Sequence, residues 1–198
     1  MKLLKSVCVY CGSSNGRNPV YIEAARQFGT ALAVAGVNCV YGGGSIGLMG
    51  TVAHSTLEAD GHVTGIIPQF LEKREVMLRE VTDLIVTDDM HERKRLMFEK
   101  SDAFVALPGG IGTLEEVVEM MTWAQLGQHR KPILLANIDS FWSPLLELMD
   151  HMRTEAFIRP ETEVPYLVAE RIEDILPMLE SAVAAASGTV QDVSVAHL

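Results

Sequence analysis

The sequence predicts an α/β fold, Rossmann-like and doubly wound, with a largely parallel sheet covered by helices on both faces. Three observations carry this. Short apolar runs, several of them rich in β-branched residues, alternate with longer helical patterns from end to end. The runs lack strict polar–apolar alternation, as strands buried on both faces do. Nearly every run leads into a helical stretch before the next, and strand–helix–strand connections are right-handed and lay strands parallel.

Taken in order, a strand is expected over 6–10 (Ser-Val-Cys-Val-Tyr), then a helix over 19–35 that opens at Pro19. A strand at 38–41 and a helix over 45–60 follow, then strands at 63–67 and 84–87. Asp88-Asp89 precedes the helix over 90–100, where N-capping is the expected role of this acidic pair. The remaining units are a strand at 103–107 with a helix over 113–126, a strand at 133–136 with a helix over 144–154, and a strand at 166–168 with a helix over 172–186. From Ser187 the helical pattern fades, so residues 1–186 are expected as one domain and 187–198 as a flexible tail.

Composition agrees with one compact unit. The 198 residues are 48% hydrophobic, too apolar for disorder to dominate. A chain of this length needs no disulfide or metal staple. The formal net charge of −10 argues against nucleic acid as a partner, because duplex binding calls for a basic field. No apolar run reaches the roughly 18 residues of a membrane span, and the amino terminus reads as a first strand, not a secretory signal. Cys8, Cys11 and Cys39 make no even disulfide framework, so a reducing, cytoplasmic setting is expected.

In open parallel sheets ligands bind beyond the carboxyl ends of the strands. Two glycine-rich loops fall there. In the first, Gly42, Gly44 and Gly47 satisfy G-x-G-x-x-G, the dinucleotide fingerprint. The next strand, however, ends Ile66-Ile67-Pro68-Gln69, without the acid that would hold a nicotinamide dinucleotide's ribose. An NAD-dependent oxidoreductase is therefore disfavoured. An anion site remains, with Gly43, Gly44 and Ser45 as candidate binding residues, against a plain tight turn.

The second loop, Leu107-Pro108-Gly109-Gly110-Ile111-Gly112-Thr113-Leu114-Glu115-Glu116, lacks the Gly-Lys-Ser/Thr ending of a nucleoside triphosphatase loop. Thr113-x-x-Glu116 fits a capping box, which would make both residues structural. The same helix start could instead grip a phosphate through its free N–H groups and dipole. At 100° per residue, Leu114, Val117, Val118, Met120, Met121 and Ala124 form the core arc. Glu115, Glu119 and Thr122 share another face with Glu116 at its margin, and periodicity alone leaves both readings open.

On the helix over 90–100, Glu92, Arg95 and Glu99 make an ordinary solvated ion-pair face. Arg93 and Lys94 point inward, where an unpaired cation is costly. They require an anionic partner, a protein carboxylate or a bound phosphate.

With these residues in view, the chain resembles the Lonely Guy family of cytokinin-activating phosphoribohydrolases. The stretch Pro108–Glu116 matches its P-G-G-x-G-T-x-x-E motif, with Ile111 where many members carry an aromatic residue. Met90-His91-Glu92-Arg93-Lys94, Cys8-Val9-Tyr10-Cys11-Gly12-Ser13-Ser14 and Thr122-Trp123-Ala124-Gln125-Leu126-Gly127 extend the match. The resemblance implies a homodimer that hydrolyses the N-glycosidic bond of cytokinin riboside 5′-monophosphates, and of AMP, to free base and ribose 5-phosphate. It implies Arg93 and Glu116 as catalytic residues. It implies Glu75, Arg93, Lys94, Gly109, Gly110, Ile111, Gly112, Thr113, Leu114, Glu115 and Thr122 as substrate-binding. The family was often labelled lysine decarboxylase, yet no Ser-x-His-Lys pyridoxal site is present.

Cleaving a ribosyl–base bond develops oxocarbenium character, so a carboxylate near the anomeric carbon is needed, whereas no metal or organic cofactor is. A non-catalytic nucleotide or cofactor carrier on the same fold is the competing reading. Glu115 and Glu116 beside Arg93 weigh against it, because a pure anion binder gains nothing from nearby carboxylates. The remaining motifs read as structural. Cys8-x-x-Cys11 begins inside a strand and not at a helix start, and the six histidines show no paired metal-ligand spacing.

Overall fold

A computed structural model describes residues 2–71 and 76–194. The strands are β1 (Ser6–Tyr10), β2 (Asn38–Tyr41), β3 (Val63–Pro68), β4 (Asp83–Thr87), β5 (Ala103–Ala106), β6 (Ile133–Ala136) and β7 (Leu167–Ala169). The helices are α1 (Pro19–Val34), α2 (Gly47–Glu58), α3 (Met90–Glu99), α4 (Ile111–Gln125), α5 (Ser143–Thr154) and α6 (Ile172–Ser194). The sheet order is β4-β3-β2-β1-β5-β6-β7, and every pairing is parallel. The Rossmann-like expectation holds.

Alternating side chains of each strand feed two cores. Val7 and Val9 of β1 pack with Phe28 and Leu32 of α1, Val52 of α2 and Ile175 and Leu179 of α6. Cys8 and Tyr10 face the other way, toward Met97 of α3 and Val117 and Met120 of α4. Burial holds all three cysteine thiols above their ordinary pKa, with Cys39 pushed up to about 12, so they act as small hydrophobes. Among the described residues, no helix is long and apolar enough to cross a membrane.

The direction in which successive strands are added to the sheet reverses between β1 and β5. From β1 the strands run outward through β2 and β3 to β4, and from β5 through β6 to β7. Such a switch point opens a crevice at the carboxyl ends of the two central strands. The Gly12 amide donates to the Pro108 carbonyl at 3.0 Å, tying the loops after β1 and β5 together there.

Three boundaries and one buried face depart from the sequence expectation. Helix α2 begins at Gly47 and not at Ser45, because Gly44 makes a β-bridge with Met77 and the Ser45 amide donates to the Val76 carbonyl. Helix α4 begins at Ile111, two residues before Thr113. Helix α6 continues to Ser194, past the position where the sequence pattern fades. The core arc of α4 is narrower than expected: Val117, Met120 and Met121 are buried, but Val118 is exposed.

Candidate active site

Helix α3 carries the cations. Asp89 caps it by accepting from the Glu92 amide at 2.8 Å, while the Glu92 carboxylate accepts from the Asp88 amide at 3.0 Å. This reciprocal box fixes the first turn and with it the direction of the next residues. Arg93 then enters the protein and is only 5% exposed.

Its guanidinium is poorly satisfied. Nη2 donates to the Gly42 carbonyl at 3.4 Å and lies 4.0 Å from Glu116 Oε1, and Nη1 approaches Met90 Sδ at 3.8 Å. Arg93 Nε is buried without a hydrogen-bond partner. Guanidinium groups present five donors, and a buried one left short of acceptors is expensive. Lys94 is the opposite case. Its Nζ donates to Glu115 at 2.7 Å and Glu119 at 2.9 Å. Burial disfavours its charge, yet these two carboxylates outweigh burial and raise its pKa. Of the two inward cations, Lys94 is engaged by two carboxylates and Arg93 is short of acceptors.

Helix α4 supplies the other wall. Gly110 is its N-cap, and no side chain caps the helix. Thr113 is therefore not the cap and the Thr113–Glu116 box does not form. Thr113 is buried one turn inside, packed on Gly109, where a Cβ would lie 2.2 Å from its Oγ1. The first-turn amides and the positive end of the helix dipole face a cavity of about 310 Å³ at the switch point. Arg93, Glu116, Glu115, Gly110, Ile111, Gly112 and Thr113 line it.

Other candidate residues lie elsewhere. Gly43, Gly44 and Ser45 do not reach this cavity. Backbone bonds to residues 76–78 engage the Gly43 carbonyl and the Ser45 amide, and Ser45 lines a separate polar depression with Arg26 and His54. Leu114 and Thr122 face an apolar groove between α4 and α5, and the Thr122 hydroxyl donates to the Val118 carbonyl. Gly109 packs beneath the loop against Thr113. Glu75 lies outside the described residues. Conversely, Cys11, Gly12, Ser13, Met49 and Met90 line the cavity without having been singled out for it. The switch-point rule would have indicated residues 11–13 had the strand order been known.

Comparison with known proteins shows the family of the chain. Residues 49–179 match the family model described as "possible lysine decarboxylase". A cytokinin riboside 5′-monophosphate phosphoribohydrolase of Arabidopsis thaliana is 44% identical over 176 residues, covering 89% of this chain and 81% of that protein. One from Oryza sativa subsp. japonica is 45% identical over 176 residues, covering 89% of this chain and 73% of that protein. Among solved structures, the Moco carrier protein from Chlamydomonas reinhardtii has a TM-score of 0.69 at 19% identity, covering 92% of this chain and 99% of that one. The molybdenum cofactor binding protein from Rippkaea orientalis has a TM-score of 0.67 at 23% identity, covering 91% and 98%. At such identities these two share the fold with this chain and nothing finer. With the phosphoribohydrolase relatives matched over most of their own length, and the P-G-G-x-G-T-x-x-E loop forming one wall of the switch-point cavity, the chain belongs to the Lonely Guy family.

Proposed function

We propose that the protein is a phosphoribohydrolase that cleaves the N-glycosidic bond of cytokinin riboside 5′-monophosphates, and of AMP, releasing free base and ribose 5-phosphate. One observation carries this reading: a buried, under-satisfied Arg93 stands 4.0 Å from the Glu116 carboxylate, beside an α4 N-terminus that no side chain caps. The first-turn amides of α4 and its dipole bind the 5′-phosphate. Arg93 donates to the anionic substrate and stands 4.0 Å from the Glu116 carboxylate. Glu116 supplies the negative charge that an oxocarbenium-like transition state requires at the anomeric carbon. Water contributes hydroxide to that carbon and its proton to the departing base, so atoms balance without a metal or cofactor. Lys94, fastened to Glu115 and Glu119, fixes the spacing between α3 and α4. A non-catalytic carrier that only holds an anion has no use for Glu116 beside the arginine.

The test is incubation with AMP and isopentenyladenosine monophosphate, followed by chromatography. Free adenine or isopentenyladenine with equimolar ribose 5-phosphate is expected. Tight binding of both nucleotides with no base released would support the carrier instead.

The protein also acts as a homodimer in this reading. Leu96 of α3 is half-buried, packed against the second core. Support comes from α4 and α5: no residue of α5 is fully buried, and Val118, Leu148 and Met152 stand exposed along the groove between the two helices. Exposed apolar patches of this kind mark interfaces. Sedimentation at micromolar concentration should give twice the 21.7 kDa chain mass, and Leu148→Asp should lower it. A wild-type monomer under those conditions would exclude the dimer.

A further inference from the structure

The G-x-G-x-x-G turn after β2 is left without a ligand by the site just described. Its glycines nevertheless sit against the arginine. The Gly42 carbonyl accepts from Arg93 Nη2 at 3.4 Å. A Cβ built on Gly42 would lie 2.2 Å from that same Nη2 and 3.4 Å from Arg93 Cζ and Met49 Sδ. Gly42 does not have a positive φ, in contrast to Gly43 at +79° and Gly47 at +64°. Backbone conformation therefore does not demand glycine at 42. Only the space taken by the guanidinium does.

Around that guanidinium stand the Met90 thioether, one peptide carbonyl at the long distance of 3.4 Å and, 4.0 Å away, the Glu116 carboxylate, with the Met49 sulfur close by. Thioether sulfur accepts hydrogen bonds feebly. A seat of this kind holds the group in place and leaves its donors unspent. A carboxylate in the same position would consume them, as Glu115 and Glu119 do for Lys94.

We propose that the first glycine-rich loop is the seat of the Arg93 guanidinium, with Gly42 a positioning residue that offers a carbonyl and no side chain. The loop thus serves the reaction at the second glycine-rich loop and binds no phosphate itself. This rests on Arg93 being catalytic, as proposed above. A methyl group at 42 drives Nη2 out of place by more than an ångström, and displacement of that size in a catalytic group costs about 10²-fold in rate.

The experiment is a double-mutant cycle of wild type, Gly42→Ala, Arg93→Lys and the double variant, read in AMP cleavage and in thermal melting. Lysine places one ammonium near the Cζ position and nothing at Nη2, so it relieves the overlap. Gly42→Ala alone should lower kcat/KM by about 10²-fold, chiefly in kcat, and lower Tm by about 3–10 °C through overpacking. In the Arg93→Lys background the same substitution should change kcat/KM by less than about twofold and leave Tm unmoved, the non-additivity of residues in contact. Equal losses in both backgrounds, or no loss in either, would overturn the seat. Should wild type cleave no nucleoside monophosphate, the functional reading fails, and the melting data alone decide whether 42 and 93 are coupled.

Discussion

Glu116→Gln should lower kcat by about 10³-fold while circular dichroism stays that of the wild type. The substitution keeps the shape and one hydrogen-bond acceptor and removes only the charge. That charge is what an oxocarbenium-like centre requires, and a loss of 10³ corresponds to about 4 kcal/mol of transition-state stabilisation. The structural cost is smaller than usual for breaking a buried pair, since the ions are 4.0 Å apart and Arg93 is already short of partners. KM should change little if the phosphate is held by α4 and the carboxylate acts only as charge develops. Base release and melting should be measured on the same preparation. Near-wild-type turnover would reduce Glu116 to a structural neighbour of Arg93.

The α4 start shows how far sequence reaches. Thr113-x-x-Glu116 satisfies the local rules of a capping box as well as it satisfies a ligand-binding motif. Two tertiary facts separate them: Thr113 is turned inward onto Gly109, and Arg93, twenty-odd positions earlier, comes to lie against Glu116. Neither is a property of the segment alone. The same holds for the first glycine-rich loop. Its fingerprint spacing is real, but its Ser45 amide and Gly43 carbonyl bond to residues 76 and 78, from a stretch thirty residues on. Helical periodicity did identify Arg93 and Lys94 as inward-facing. Which of the two would meet carboxylates depended on α4 packing, where Glu115 and Glu119, one turn apart, close on Lys94 together. Fold class was legible because burial on both sheet faces imprints the five inner strands. Val118 of α4, expected in the core arc and found exposed, misled because a pattern that reports apolar periodicity does not say whether the chain itself or a second copy covers it.

Activity should require the 5′-phosphate, with AMP cleaved at least about 10²-fold faster in kcat/KM than adenosine, or roughly 3 kcal/mol of transition-state stabilisation. The α4 N-terminus, with its amides directed into the cavity and no side chain capping them, gives more anion-binding capacity than a neutral ribose could use. Binding energy from that remote group is spent on orienting the anomeric carbon toward Glu116, so losing it should lower kcat as well as raise KM. Gly110→Ala probes the same site cleanly. A Cβ at Gly110 meets no protein atom within 4 Å, and the backbone there, φ −93° and ψ −158°, is open to alanine. Any loss it causes is therefore a loss of ligand approach and not of packing. It should slow AMP cleavage and leave the slow adenosine reaction unchanged, narrowing the gap between the two substrates. Progress curves for both substrates on both proteins decide the matter. Equal cleavage of AMP and adenosine by wild type would remove the phosphate from the α4 terminus and leave a simple nucleosidase.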